Sequence, residues 1–178
     1  AGARWFALVR SGDFLFAAND GRSFTQGDFE ALCRSAASKK HRGTTIGYRG
    51  IGFKSVVSIA NQVHVFSGEL AAMFSRKRTQ QEIPDAQRVP LVRIPHPIEE
   101  EEWHRFGNVV DSLREKKLTT IFVFSDLLAH AIETEYAAFD STSLLFLRSI
   151  ESVTLDGERE LCVKVRRECG EKRHSCVT

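Results

Sequence analysis

The chain has 178 residues, 42% of them apolar and 27% charged, which is enough for one domain with a real hydrophobic core. Lys and Arg number 25 against 23 Asp and Glu, a net charge of +2 that speaks against a polybasic membrane anchor and against a dedicated nucleic-acid arm. No uninterrupted apolar run is longer than Phe14 to Ala18, far short of a bilayer span. The opening Ala1-Gly2-Ala3-Arg4-Trp5 carries neither a secretory signal nor an initiating Met, so the expectation is a cytoplasmic piece of a longer protein. Cys33, Cys162, Cys169 and Cys176 form no C-x-x-C pair, which points to reduced thiols rather than a zinc ribbon. The six histidines have no metal-ligand spacing and are expected at the surface.

Along the chain, Arg4 to Ala18 reads as two β runs joined by a Ser11-Gly12-Asp13 hairpin turn. Asn19-Asp20-Gly21 is a second turn signal that ends the second run. Thr25 with Asp28 three residues later approximates a capping box, and Phe29, Leu32 and Cys33 recur at helical spacing to about Ala37. Ser38 to Gly50 is polar and Gly-bearing, a loop without periodicity, while Phe53 to Ala60 has one turn of helix-like apolar spacing. Val63 to Phe66 alternates as a strand. Residues 76–96 read as loop, with the four prolines Pro84, Pro90, Pro95 and Pro97 in or beside them. Glu99 to Glu102 opens a helix, where negative charge suits the amino-terminal end of the helix dipole. Thr119 to Phe124 is a strand, and Ser143 to Leu147 with Ile150, Val153 and Leu155 closes the apolar pattern.

Charge and glycine are both concentrated. Residues 1–60 carry nine Lys or Arg against four acids, and 97–140 carry four against ten. Gly43, Gly47, Gly50 and Gly52 lie within that basic half, just before Phe53-Lys54-Ser55. Glycines let backbone N–H groups converge, and a helix start adds unpaired donors, so the cluster reads either as a phosphate cradle or as a plain flexible loop. A Walker A loop fails because Phe53 separates Gly52 from Lys54, turning the lysine about 100° around the helix. A dinucleotide fingerprint fails because Ser55 stands where a third glycine belongs. A protein-kinase loop fails for want of H-R-D and D-F-G downstream.

A fourth pattern fits. Asn19-Asp20-Gly21-Arg22-Ser23-Phe24, the helix Phe24-x-x-x-Asp28-x-x-x-Leu32, Ser38-Lys39-Lys40, I-G-Y-R-G-I-G-F-K-S-V at 46–56, T-T-I-F-V-F at 119–124 and L-L-F-L-R-S-I at 144–150 follow one another. In that order they resemble the GHKL (Bergerat) ATP-binding fold of DNA gyrase, the heat-shock chaperones, histidine kinases and MutL proteins. Within it they look most like the sacsin and NO VEIN group, and the MORC proteins have a similar glycine-lysine-serine element.

The resemblance implies an α+β fold: a two-layer α/β sandwich with a mixed, mostly antiparallel sheet covered on one face by helices. It spans 1–156 as an ATP-binding domain and leaves 157–178 as a tail or the start of a following segment. It implies that the turn Asn19, Asp20 and Gly21 lies under the adenine. The family order is D-x-G-x-G, whereas here Asn19 takes the first place and the carboxylate is shifted to Asp20, so both are candidate base contacts. Gly47, Gly50 and Gly52, with the N–H groups of Ile51 and Phe53, would hold the triphosphate; Ser38 and Lys39 would belong to a lid. Lys54 would reach a phosphate or stand in solvent, and Thr119 would lie beneath the base or serve only as a β-branched strand residue.

In the family, a helix before the first strand supplies the glutamate that polarises water and the asparagine that holds Mg. That helix is expected upstream of Ala1, so no catalytic residue is assigned and the chain alone is expected not to turn ATP over. Its absence would leave Trp5 and Phe14 exposed. ATP, the other domains of a larger chaperone-like or conformational ATPase, and a client protein are the implied partners. Two other readings stay open: a degenerate nucleotide-binding or interaction module without turnover, and a MORC-like nucleic-acid-associated module.

Overall fold

The computed structural model describes residues 2–34, 59–85, 89, 91–128 and 150–156, together with the strand backbones of 159–168 and 171–177. Among them, eight strands form one sheet: β1 (Trp5–Ser11), β2 (Phe14–Asn19), β3 (Ala60–Ser67), β4 (Leu70–Ser75), β5 (Thr120–Leu127), β6 (Ser152–Leu155), β7 (Arg159–Glu168) and β8 (Glu171–Val177). Their order across the sheet is β4-β3-β5-β2-β1-β6-β7-β8. The pairing of β1 with β6 is parallel and every other described pairing is antiparallel. Three helices complete the described elements: α1 (Gln26–Cys33), α2 (Arg76–Glu82) and α3 (Glu100–Glu115). The fold is thus an α+β sandwich on a mixed, mostly antiparallel sheet.

Two hairpins share one turn chemistry. Gly12 (φ +56°) joins β1 to β2 and Gly68 (φ +60°) joins β3 to β4, each in a Ser-Gly-acidic sequence with two residues between the strands. Positive φ at the first turn residue matches the right-handed twist of the flanking strands, which is why glycine stands there.

Because side chains alternate across a strand, each strand feeds two cores. On one face Ala7, Phe14, Phe16, Ala18, Phe66, Ile121 and Val123 pack beneath Trp103, Phe106, Val110 and Leu113 of α3. The Phe106 ring meets Phe14 at 5.5 Å, Phe66 at 6.1 Å and the His64 imidazole at 4.6 Å between centroids. On the other face Leu15, Val63, Val65, Phe74, Leu91, Val92 and Phe124 are buried, with Phe24, Phe29, Leu32 and Cys33 against them. The described helices α1 and α3 therefore lie on opposite faces instead of together on one. The stripe Phe106, Val110, Leu113 on α3 is what claims the second face, and it buries Phe14, which the sequence leaves exposed. Trp5 is half-buried and donates its indole N–H to Thr154 Oγ1 at 2.8 Å.

Other expectations also change. Residues 76–82, read as loop, form α2, capped by Ser75 Oγ, which accepts from Arg78 N; the prolines begin only at Pro84. β4 has no counterpart in the sequence reading, although Ser67-Gly68-Glu69 repeats the turn signal of Ser11-Gly12-Asp13. Strands β7 and β8, within the expected following segment 157–178, pair with each other, and β7 also pairs with β6. The apolar stretches at 53–58 and 143–147 lie outside the described residues, whereas Ala60 begins β3. No described helix is long and apolar enough to cross a membrane.

The expectation of surface histidines fails for His64 and His96, which are 1% and 4% exposed. His96 is held by a short β-bridge to Met73, by Thr79 Oγ1 at 2.9 Å from Nε2 and by Glu82 at 3.2 Å from Nδ1. His64 lies on the α3 side of β3. Its Nε2 is 3.3 Å from Gln62 Nε2 and 3.6 Å from Glu102, and the Gln62 amide also donates to Glu102. Glu102 is the same acid that caps the start of α3, accepting from Glu99 N at 3.5 Å. Burial pushes the His64 pKa below its usual value of 6.5, and the Glu102 carboxylate opposes that shift only in part.

Two predictions follow from this packing. Phe106→Ala removes the ring shared by Phe14, Phe66 and His64 and should destabilise the chain by about 3–5 kcal/mol in a denaturant titration; a loss near zero would show that α3 contributes little to the core. A His pKa lowered on folding favours the neutral ring, so the stability it contributes is complete above the unfolded value and declines as pH falls through it. The denaturation midpoint should therefore drop between pH 7.5 and pH 5.5, and His64→Gln should flatten that slope.

Candidate functional site

The turn after β2 is built by three side chains that bond to backbone rather than to one another. Asn19 Oδ1 accepts from Gly21 N at 3.0 Å, an Asx-turn that folds the chain back over two residues. Asp20 Oδ1 accepts from both Arg4 N at 2.8 Å and Trp5 N at 2.9 Å, and Asp20 N donates to Trp5 O at 3.3 Å. From the other side, Thr119 N donates to Asn19 O at 2.8 Å and the Thr119 hydroxyl donates to the Gly21 carbonyl. The turn is thus stitched to the start of β1 on one flank and to the start of β5 on the other.

Asn19 pairs with Thr120 across β2 and β5, and Thr120 with Ser67 across β5 and β3. These positions share the face that bears α1, since they continue the Leu15–Ala17, Phe122–Phe124 and Val63–Val65 alternations. A polar rung thereby closes one end of an otherwise apolar sheet face. Ser67 and Thr120 are buried, with their hydroxyls 2.6 Å apart, and Phe24 N donates to Ser67 Oγ at 2.9 Å. That bond anchors the segment leading into α1, and the Phe24 ring meets Phe122 edge-on at 6.2 Å. A Cβ at Gly68 would stand 3.2 Å from Ser23 Cβ, so the β3–β4 turn also approaches this segment closely.

The expected capping box is present: Thr25 Oγ1 accepts from Asp28 N at 3.2 Å and Asp28 Oδ2 accepts from Thr25 N at 2.9 Å. Arg22 reaches Asp28 at 2.8 Å, and together with the Thr25 donors it holds the Asp28 carboxyl well below the usual carboxylate range. The start of α1 is therefore tied to the turn that precedes it. Burial raises the Cys33 thiol above its ordinary pKa, and the side chain packs against the α1-side core.

Of the residues singled out in the sequence, the structure brings Asn19, Asp20, Gly21 and Thr119 into one cluster. Ser38, Lys39, Gly47, Gly50, Ile51, Gly52, Phe53 and Lys54 lie outside the described residues. Within the cluster the roles divide. Two amides at the start of β1 bind Asp20 Oδ1 and so fix the plane of its carboxylate, whereas Asn19 Oδ1 has a second lone pair after its bond to Gly21. Thr119 clamps the turn, and its neighbour Thr120 shares the Asn19 face. Arg4, Ser67 and Thr120 escaped the sequence reading. Their partners lie 16 to 53 residues away, beyond any local pattern, although a period of two along T-T-I-F-V-F would have put Thr119 and Thr120 on opposite faces.

The described residues contain no group of His, Cys, Asp or Glu suited to a metal ion. Compared with known proteins, the chain matches no family model and no curated protein.

Proposed function

We propose that this chain is the ATP-binding module of a larger chaperone-like or conformational ATPase acting in the cytoplasm. The base would sit at the Asn19–Gly21 turn, on the α1 side of the sheet, and the triphosphate in the glycine-rich stretch Gly47–Lys54. The observation that carries the reading is the immobilised turn. A loop fixed on both flanks, with an amide side chain on its last strand position and a buried glycine beneath, suits recognition of a flat base at close approach. One further feature supports it. The basic excess of residues 1–60 surrounds the glycines, where an anionic phosphate chain would need it.

On this reading Asn19 accepts a hydrogen bond from the exocyclic amine of adenine, and Gly21 lets the backbone approach the ring. The N–H groups of Ile51 and Phe53 take phosphate oxygens, Lys54 adds a point charge, and Ser38 and Lys39 close over them. Magnesium, when bound, would neutralise charge on the phosphates. Its protein ligand is not among the residues assigned here. Partners of the module would be the other domains of its parent chain and a client protein whose shape they change.

The reading is tested by titrating a fluorescent ATP analogue and competing it with ATP and GTP. Gly50→Ala and Gly52→Ala should each abolish binding, because a Cβ blocks the approach of backbone to phosphate. Undiminished affinity in both would sink the cradle. Asn19→Ala should narrow the gap between ATP and GTP by about 1–3 kcal/mol, the cost of leaving a buried partner unpaired. An unchanged ratio would place base recognition elsewhere.

A further inference from the structure

We infer that Asp20 is a positioning residue for base selection, acting through Asn19 and not by touching the base; the inference rests on the adenine reading above. One carboxylate oxygen spans two consecutive amides, Arg4 N and Trp5 N, at 2.8 and 2.9 Å. Those amides open β1, and the same segment is fixed again from its far side. Arg4 O accepts from Glu151 N at 2.7 Å and from Ser152 N at 3.2 Å, and the Arg4 guanidinium meets Glu151 at 2.6 Å. Asp20 therefore joins the turn to the one parallel strand pair among the described strands, β1–β6.

The geometry separates Asp20 from its neighbour. The two residues are adjacent in sequence, yet Asn19 turns Oδ1 onto Gly21 within the turn while Asp20 turns Oδ1 onto two amides at the start of β1, which fixes its carboxylate to that strand. The charge of Asp20 is well placed for that task, since charge-assisted bonds to backbone N–H are about twice as strong as neutral ones. Thr119, just before β5, anchors Asn19 and Gly21 on either side of Asp20, so removing Asp20 frees one flank and leaves the other held. Asn19 then keeps its chemistry but loses its fixed direction, and direction is what distinguishes an amine from a carbonyl at the edge of a purine. The consequence is that whatever displaces the segment at residues 2–4 alters base selectivity through Asp20. The base site is mechanically coupled to the chain that enters β1.

The test uses the 178-residue chain with ATP and GTP as competing probes. Asp20→Ala should lower the ratio of ATP to GTP affinity about tenfold, while in an Asn19→Ala background it should change that ratio less than twofold, because both substitutions remove the same recognition. Asp20→Asn, which keeps an oxygen able to span the two amides, should retain the ratio to within threefold. Exchange of the Trp5 amide should quicken in Asp20→Ala and not in Asp20→Asn. If Asp20→Ala does not fold, Asp20→Ser carries the comparison, its shorter hydroxyl being unable to reach both amides. Additive effects of the Asn19 and Asp20 changes would mean that Asp20 meets the base itself, and an unaltered ratio in Asp20→Ala would reduce it to a stabilising tether; either overturns the inference alone. Failure of the unaltered chain to bind either nucleotide would overturn the adenine reading, and this inference with it.

Discussion

The two-residue period of β5 governs the molecule. This strand pairs with β2 on one side and β3 on the other, so its alternation sets which residues of three strands share a face. Ile121 and Val123 commit one face to the Phe106–Val110–Leu113 stripe of α3, and Phe122 and Phe124 commit the other to Phe24 and α1. The same alternation separates Thr119 from Thr120 where the strand begins. A slip of one residue would exchange the two cores and pull the clamp from the Asn19–Gly21 turn at once. Register here is both a packing and a functional constraint.

Most of the buried polar side chains among the described residues are received by backbone or by a second polar group. Ser67 bonds Thr120 and accepts from the Phe24 amide, His96 bonds Thr79 and meets Glu82, and Asp20 takes two amides. Such bonds add only about 0.5–1.5 kcal/mol each over hydration, but an orphaned buried partner costs about 1–3 kcal/mol, so each pairing fixes geometry more than it adds stability. At His64 the satisfaction is incomplete: Nδ1 makes no hydrogen bond that meets normal geometry, and the ring is buried under Phe106 with Glu102 alongside. Protonation of this ring works against the contact of α3 with the sheet.

Both faces are packed, but they end differently. The α3 face is filled, with Gly107 present because any Cβ there would stand 2.6 Å from the Trp103 indole. Trp103 in turn lies edge-on to Phe66 at 5.5 Å and carries the Arg114 guanidinium at 6.0 Å. The α1 face ends in the Asn19–Thr120–Ser67 rung, and the residues proposed to read a nucleotide base gather at that end. The proposed ATP-binding role and the proposed positioning role of Asp20 both belong to this face, one through a side chain directed within the turn, the other through a side chain tied to β1.

Much of the local structure was legible without coordinates because it depends on neighbours in sequence. Turn residues, a Thr25–Asp28 capping box, the acidic first turn of α3 and the β runs read at 4–18, 63–66 and 119–124 each follow from backbone preference or short-range bonding. The place of the Asn19-Asp20-Gly21 turn was legible in the same way, whereas the α+β class was what the family resemblance implied. β4 and α2 were missed where small and polar residues blunt the periodicity, as in Leu70-Ala71-Ala72 and Arg76-Lys77-Arg78. What tertiary structure alone decided is whatever depends on pairing over long distance. The opposite placement of α1 and α3, the burial of His64 and His96, the bond of Asp20 to Arg4 and Trp5, and the choice between Thr119 and Thr120 all follow from strand register. A sequence specifies what each residue prefers next to its neighbours. Which face it meets is settled only when strands 100 residues apart come into register.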